Sequence, residues 1–265
     1  MVEASITVVD RGHVRTDVNH VIEGFQTATA SNPDPDPVRS AGPVFNLVID
    51  HPEATILWDS GSHPEAGDGY WPEDLYDAFE HYDAADHPLP DALDDAGYAL
   101  DDIDAVVQSH LHLDHAGGLR HFAGTDTPIY VHERELEFAY RSAVSDTGDG
   151  AYVKADFDHD LNWQVVTQDP AAHFTDLEFV HLPGHTPGLI GVVIDHDTHG
   201  TLVVAGDLAY ARANYEGEVP LGAGLLWDRP AWLDSVARVK DIQRRRDARV
   251  FVGHDEDDVA RLRDL

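Results

Sequence analysis

A cluster of possible metal ligands lies between residues 110 and 115. It comprises His110, His112, Asp114 and His115, in the order His-x-His-x-Asp-His. Imidazole and carboxylate together suit a borderline divalent cation, zinc first, with manganese, iron or cobalt as alternatives. The chain has 18 histidines, and a single histidine is more often a surface or core residue than a ligand. Four ligand-type residues in this order, directly before Gly117 and Gly118, favour a metal site over chance clustering.

An apolar segment leads into this cluster. Residues 103–107 predict a buried strand that ends where the ligand-type residues begin. In extended chain His110 and His112 are two positions apart and point to the same side, so both can reach one cation. The two glycines that follow leave the backbone free to turn tightly against the cluster. A strand end that feeds a loop is a frequent place for functional residues.

Three more apolar segments end in a ligand-type residue. Residues 178–182 lead to His185 within Pro-Gly-His-Thr-Pro-Gly, 201–205 lead to Asp207, and 250–252 lead to His254. Alone, His185 fits an exposed turn equally well, but beside the first cluster it becomes a third nitrogen ligand for a tetrahedral site. A carboxylate that leaves an apolar strand is costly to bury unpaired, so we expect a cation beside Asp207. Its two oxygens would allow it to bridge two metal ions.

Two further residues each have two interpretations. Asp59 follows a strand predicted over 55–58, and with Gly61 it forms either an ordinary turn or an acceptor that orients a metal-bound histidine. Tyr210 lies three residues beyond Asp207. Its hydroxyl either projects into the space beside the metal ligands or packs at the rim.

The order of the elements predicts one α/β domain. Strands are predicted over residues 6–9, 44–49, 55–58, 128–131, 178–182, 189–194, 201–205 and 250–252, and helices over 73–82, 90–96, 133–144 and 228–246. No linker divides the 265 residues. Residues 62–90 form a long excursion that is either a substrate lid or a helix that covers the sheet. Ligand-type residues at the ends of four strands predict a single cleft along one edge of a layered fold.

Composition restricts the partners. The absence of cysteine leaves any metal to histidine and carboxylate. A net charge of −33, from 50 acidic and 17 basic residues, argues against nucleic acid or an anionic membrane as partner. No segment resembles a membrane span or a signal peptide, so we expect a cytoplasmic protein. An oligomer is possible.

The motifs together resemble those of the metallo-β-lactamase superfamily. They are Asp59-x-Gly61, His110-x-His112-x-Asp114-His115, Gly184-His185, Gly206-Asp207 and Gly253-His254. The resemblance implies a four-layer αβ/βα sandwich, a single hydrolase domain over residues 1–265, and a site for two divalent metal ions. It also implies that His110, His112 and His185 bind one ion, that Asp114, His115 and His254 bind the other, and that Asp207 bridges them.

Within the superfamily the chain is most similar to the N-acyl homoserine lactonases. The similarity lies in Tyr210, in Glu218-Val219-Pro220 before Gly222-Ala223-Gly224, and in Asn162-Trp163. It implies that a hydroxide shared by the two metal ions opens the ring of a small-molecule lactone, and zinc is the first choice for these ions. Asp114 and Tyr210 would be the catalytic residues, with the Tyr210 hydroxyl holding the developing oxyanion.

Other functions stay open at this point. The same metal site would serve another lactone, an ester, or a thioester in the manner of glyoxalase II. That family carries a basic helical extension for glutathione, whereas 11 residues follow His254 here, so we expect the lactonase activity instead. A metal-binding regulatory protein without turnover should lack one or more ligands, and all seven are present.

The charge balance predicts a salt-dependent fold. A surface with this excess of carboxylates is typical of adaptation to a high-salt cell. The Debye length, over which charges repel one another, falls from about 10 Å at 0.1 M salt to about 3 Å at 1 M salt, so salt weakens the repulsion between the carboxylates. We expect the thermal midpoint, measured by circular dichroism, to fall as salt is reduced from about 3 M to about 0.1 M. An unchanged midpoint would contradict a halophilic surface.

Overall fold

The strands of this chain form two sheets, which a computed structural model describes for residues 1–145 and 148–265. The strands are β1 (Ser5–Asp17), β2 (Arg39–His51), β3 (Ala54–Trp58), β4 (Phe79–His81), β5 (Ala105–Val107), β6 (Pro128–His132), β7 (Asn162–Val166), β8 (Ala171–Phe174), β9 (Leu177–His181), β10 (Ile190–His196), β11 (Gly200–Val204) and β12 (Arg249–Phe251). The α-helices are α1 (Val18–Val21), α2 (Glu73–Ala78), α3 (Leu89–Asp95), α4 (Leu113–Ala116), α5 (Glu133–Ala143), α6 (Lys154–Phe157), α7 (Arg212–Gly217), α8 (Arg229–Arg246) and α9 (Glu256–Arg263).

Alternating side chains give each sheet two buried faces. Ile56 of β3 and Val192 of β10 belong to one apolar cluster between the sheets. The neighbouring Leu57 points the other way and packs with α3 and α5. On the far side of the second sheet, Val203 of β11 packs with Trp232 of α8. Helices therefore cover both outer faces, and the expected four-layer αβ/βα sandwich is confirmed.

The strands that precede the predicted ligands end at one edge. Among the described residues the first sheet has the order β4-β1-β2-β3-β5-β6-β7 and the second has the order β12-β11-β10-β9-β8. Strands β3, β5 and β6 pair in parallel, so their carboxyl ends lie side by side. Strands β9 and β11 both run antiparallel to β10, and β12 is parallel to β11. The loops after β9, β11 and β12 consequently leave the second sheet in one direction.

Several elements differ from the sequence prediction at their bounds. The helix predicted over 73–82 ends at Ala78, because the next three residues pair with β1 as β4. Strands β7 and β8 were not predicted, and each lies at the edge of its sheet with exposed polar positions that hide the alternation. The helix predicted over 228–246 is confirmed as α8, and the Asp228 side chain accepts a hydrogen bond from Ala231 N at 2.7 Å. No helix within residues 1–145 and 148–265 combines the length and the apolar character needed to cross a bilayer.

The Gly117-Gly118 pair allows close packing rather than an unusual turn. Gly117 has φ −61° and Gly118 has φ −89°, which any residue adopts. A Cβ atom on Gly117 would overlap the backbone of Ser62 and His63, and one on Gly118 would overlap the carbonyl oxygen of Ser60. The absence of side chains therefore lets α4 lie directly against the loop that follows β3.

Candidate metal centre

The predicted ligand residues converge at the edge of the sandwich where the strands that precede them end. His110 and His112 follow β5, Asp114 and His115 lie in α4, and His185, Asp207 and His254 follow β9, β11 and β12. Among the described residues, three groups hold ligand atoms within 4.8 Å of one another: His110, His112 and His185; His110, His115 and Asp207; and Asp114, His115 and His254. The side chains of Asp114 and His254 are 13% and 7% exposed, and the other five residues are buried. The structure thus brings all seven together.

Hydrogen bonds on the outer side fix the orientation of the imidazoles. Nδ1 of His185 donates to the carbonyl oxygen of Leu225 at 2.7 Å, and Nδ1 of His254 donates to that of Pro43 at 2.9 Å. A carbonyl oxygen can only accept, so these rings carry their proton on Nδ1 and keep the Nε2 lone pair toward the cluster. His112 has the opposite ring orientation. Its Nδ1, rather than its Nε2, faces the cluster and lies 3.0 Å from Nε2 of His185.

Asp59 anchors two of the predicted ligand residues. Its Oδ1 accepts from Ser109 N at 2.7 Å, and its Oδ2 accepts from Ser109 Oγ at 2.7 Å and from His115 Nδ1 at 2.9 Å. Ser109 Oγ in turn accepts from His110 Nδ1 at 2.9 Å. The alternative in which Asp59 orients a ligand-type histidine is therefore confirmed. Asp59 itself has a φ of +58°, an uncommon conformation that turns its carboxylate toward these partners.

Asp207 lies between the two groups of predicted ligands. Its Oδ2 is 3.7 Å from Nε2 of His110 and 3.5 Å from Nε2 of His185. The same oxygen is 3.2 Å from Nε2 of His115, and Oδ1 is 3.3 Å from Nε2 of His254. The carboxylate thus faces imidazoles from both groups, as a bridging ligand would.

Burial and mutual proximity set the charges of these side chains. Burial, together with the neighbouring imidazoles, lowers the pKa of His110 well below its ordinary value, and burial lowers the pKa of His185 to about 4. Burial opposes ionisation of Asp207, yet His115 and His254 hold the pKa of Asp207 well below its usual range. Against the effect of burial, Asp207 raises the pKa of both His115 and His254. A divalent cation would displace the protons that Asp207 attracts to these rings.

The donor set fits a metal ion. Within residues 1–145 and 148–265, Nε2 of His110 and His115, and Oδ1 of Asp207, are buried without a hydrogen-bond partner. Buried polar atoms without a partner cost free energy, and coordination to a cation removes that cost. Imidazole nitrogens with carboxylate oxygens are the ligands that zinc accepts when thiolates are absent.

A cavity of about 220 Å³ opens beside the cluster and is bordered by Tyr210. The Tyr210 ring lies 4.4 Å from the ring of His254 and 5.6 Å from that of His185, centroid to centroid. Burial and the charge of Asp207 raise the pKa of Tyr210 well above its ordinary value, so its hydroxyl stays protonated and can donate. Tyr210 thus contacts the ligand cluster and the cavity at once.

Apolar side chains form most of the remaining cavity wall. Val18 and Ile22 line it on one side, and Trp71, Leu75 and Phe79 line it from the segment that was predicted as lid or cover. Because this segment borders the cavity, the interpretation of residues 62–90 as a substrate lid is favoured over that of a helix that only covers the sheet.

Arg11 is a supporting residue that the sequence did not reveal. Its guanidinium is buried and donates to the carbonyl oxygens of Ser60 and Ser62, and to Oδ1 of Asn46 at 2.8 Å. Burial lowers the pKa of Arg11 to about 9. A Cβ atom on Gly61 would overlap the guanidinium. Arg11 therefore fixes the loop that begins with Asp59, and only the Gly61 in that loop hinted at a close contact.

Several known proteins are similar to this chain in sequence or in structure. The sequence matches the metallo-beta-lactamase superfamily over residues 39–254. AiiB of Agrobacterium fabrum (strain C58), an N-acyl homoserine lactonase, is 29% identical over 266 residues, which cover 96% of this chain and 95% of AiiB. The lactonase AiiA of Bacillus thuringiensis subsp. kurstaki is 31% identical over 159 residues, 60% of this chain and 58% of AiiA.

A solved structure shows the same fold. It is an N-acyl homoserine lactone hydrolase with the product N-hexanoyl-L-homoserine bound at its catalytic metal center. The two folds superpose with a TM-score of 0.80 over 98% of this chain and 96% of that one, at 24% identity. The fold likeness extends over nearly the whole of both chains.

The Asp59 contacts generate a prediction for metal binding. Asp59→Asn replaces an oxygen that accepts from His115 or Ser109 by an amide that can only donate there. We expect zinc affinity, measured by competition with a chelator, to fall by about 10- to 100-fold, as for other residues that orient metal-bound histidines.

Asp104→Asn is the matched control. Asp104 is exposed and accepts a backbone hydrogen bond from Thr55 N at 2.9 Å, at the entrance to β5. The Asp104→Asn variant should bind zinc with the same affinity as the parent protein. Equal zinc affinity in both variants would remove Asp59 from any role in holding the ligands.

Proposed function

Because the chain belongs to the metallo-β-lactamase superfamily, we propose that it is a hydrolase with two metal ions that opens the ring of N-acyl homoserine lactones. The observation that carries this proposal is the cavity, which ends at the ligand cluster and is otherwise mostly apolar. Such a cavity suits a substrate with a polar reacting ring and an apolar acyl chain. The activities of AiiB and AiiA point to the same substrate class.

The seven clustered residues divide into two ligand sets in this proposal. One ion is assigned to His110, His112 and His185, and the other is assigned to Asp114, His115 and His254, with Asp207 as the shared ligand. The central position of the Asp207 carboxylate and the close approach of the ligand atoms within each set support this division. Zinc is the metal of choice on the chemistry of the donors, with manganese, iron and cobalt as alternatives.

When bound, the two ions would supply a nucleophile at neutral pH by lowering the pKa of water, and would polarise the lactone carbonyl. The protein's own residues orient the substrate and handle charge. Tyr210, protonated at the end of the cavity, is placed to donate a hydrogen bond to the oxygen on which negative charge develops. The apolar wall would hold the acyl chain and exclude water from the reacting ring.

The charge of the cavity favours a neutral substrate. The described lining residues include Asp114 and Asp149 but neither lysine nor arginine. An anionic substrate such as a glutathione thioester would meet carboxylates along the described cavity wall without a lysine or arginine there to pair with. The net charge of −33 acts in the same direction and disfavours nucleic acid.

A substrate panel tests the proposal. Protein loaded with zinc, manganese or cobalt in high salt is offered a short and a long N-acyl homoserine lactone, a glutathione thioester and a simple aromatic ester, and proton release is recorded. We expect turnover of the lactones and little or none of the thioester. Hydrolysis of the thioester or the ester with the lactones untouched would leave a metallohydrolase of another class. Bound metal with no turnover of any substrate would favour a regulatory protein.

A second test concerns Tyr210. Tyr210→Phe removes the hydroxyl and keeps the ring, so we expect kcat for the lactone to fall by at most about 10²–10³ while metal content is unchanged. Tyr215→Phe is the control, because it removes a buried hydroxyl that bonds Gln243 at 2.8 Å and does not line the cavity. An unchanged kcat in Tyr210→Phe would reduce Tyr210 to a packing residue.

A further inference from the structure

Glu135, in the first turn of α5, is a fully buried carboxylate outside the ligand set. Within the described residues four donors bind it. Its Oε1 accepts from Leu111 N at 2.9 Å and from the Tyr152 hydroxyl at 2.9 Å. Its Oε2 accepts from Thr186 Oγ1 at 2.7 Å and from Gly188 N at 3.2 Å. Each oxygen is therefore bound by one backbone N–H and one hydroxyl.

The four donors come from the segments that carry predicted ligands or touch them. Leu111 stands between His110 and His112, and Thr186 directly follows His185. The Tyr152 ring packs edge-on against the His112 ring, with centroids 4.6 Å apart. One carboxylate thus ties the loop after β5 in the first sheet to the loop after β9 in the second.

The fit around Glu135 leaves little freedom for these loops. A Cβ atom on Gly188 would overlap the backbone and Cβ of Glu135, so the loop after β9 lies directly on the start of α5. The carboxylate does not cap its own helix, since His132 accepts the hydrogen bond from Arg134 N. Helix capping therefore gives no reason for a buried acid at this position.

We propose that Glu135 is a positioning residue that sets the distance between the His110-His112 pair and His185, and thereby the affinity of these three imidazoles for their metal ion. The inference rests on the proposed function in one respect, that these histidines are ligands. It goes further in assigning a specific role to a residue that contacts neither metal nor substrate. A carboxylate that binds rigid backbone donors of both loops holds the three rings in place before the ion arrives.

Glutamine cannot reproduce these contacts, although it has the same shape. Its NH₂ group would replace one of the two oxygens and would face a backbone N–H, either that of Leu111 or that of Gly188. A hydroxyl can rotate to accept a hydrogen bond, but a backbone N–H cannot. Glu135→Gln therefore separates at least one loop from α5 in either orientation of the amide.

The test measures metal binding directly. Apo-protein variants are titrated with Co²⁺ to record the absorption spectrum of the bound ion, and then with Zn²⁺ in competition with a chelator. We expect Glu135→Gln to bind Zn²⁺ about 10- to 100-fold more weakly at one of its two sites and to show an altered Co²⁺ spectrum. Glu133→Gln, an exposed change in the same helical turn, should match the parent in both measurements.

A purely structural role would give a different result. In that case the metal-free variant would melt at a lower temperature, while Zn²⁺ affinity and the Co²⁺ spectrum of the folded protein would equal those of the parent, and the proposal would be wrong. If Glu135→Gln does not fold, Tyr152→Phe and Thr186→Val each remove one hydroxyl donor and leave the carboxylate charged. Both should weaken Zn²⁺ binding to a smaller extent, and unchanged affinity in both would overturn the proposal.

Failure of the lactonase assignment can be recognised separately. Parent protein that binds two ions and opens no lactone refutes the proposed substrate, yet the comparison of Zn²⁺ affinities remains valid. Conversely, lactone turnover with equal Zn²⁺ affinity in parent and Glu135→Gln refutes the role of Glu135 alone.

Discussion

The carboxylate of Asp207 has no access to solvent, and its ionised form governs how the edge of the sandwich is built. An uncompensated charge in the interior of a protein is strongly destabilising, so positive charge has to be supplied close by. The surrounding imidazoles approach it with their Nε2 atoms, and most are turned that way by a hydrogen bond from Nδ1 to the opposite side. Without a metal ion, His115 and His254 compensate Asp207 by holding protons, and divalent cations bound at the cluster would take over that role.

Parallel strands explain how ligands distant in sequence reach one place. Strands β3 and β5 deliver Asp59 and His110 side by side, and β11 and β12 deliver Asp207 and His254 in the second sheet. Each loop is then held from behind by a residue of another element: Arg11 binds the loop after β3, and Glu135 binds those after β5 and β9. The rigid sheets set the approximate position of each loop, and these buried contacts restrict the movement that remains.

The clustering of the candidate ligands could be predicted from the sequence, whereas their supports could not. His110 to His115, His185, Asp207 and His254 have metal-binding side chains directly after apolar runs, which is local information. Arg11 and Glu135 look like ordinary charged residues in a strand and a helix. Their role depends on partners 17 to 76 positions away, and no pattern of spacing encodes those contacts. Strands β7 and β8 escaped prediction for a related reason, since edge strands are half exposed and lose their alternation.

The predicted ligand residues are divided between two sheets that follow one another along the chain. A growing polypeptide that has completed only the first sheet carries His110, His112, Asp114 and His115, and lacks every imidazole of the second. Neither predicted ligand set is complete at that stage, because one needs His185 and the other needs His254. If these residues bind metal as proposed, metal capture would be linked to docking of the second sheet, and each would gain free energy from the other. An ion held at full affinity would then report that synthesis has passed β12 and that the sandwich has closed.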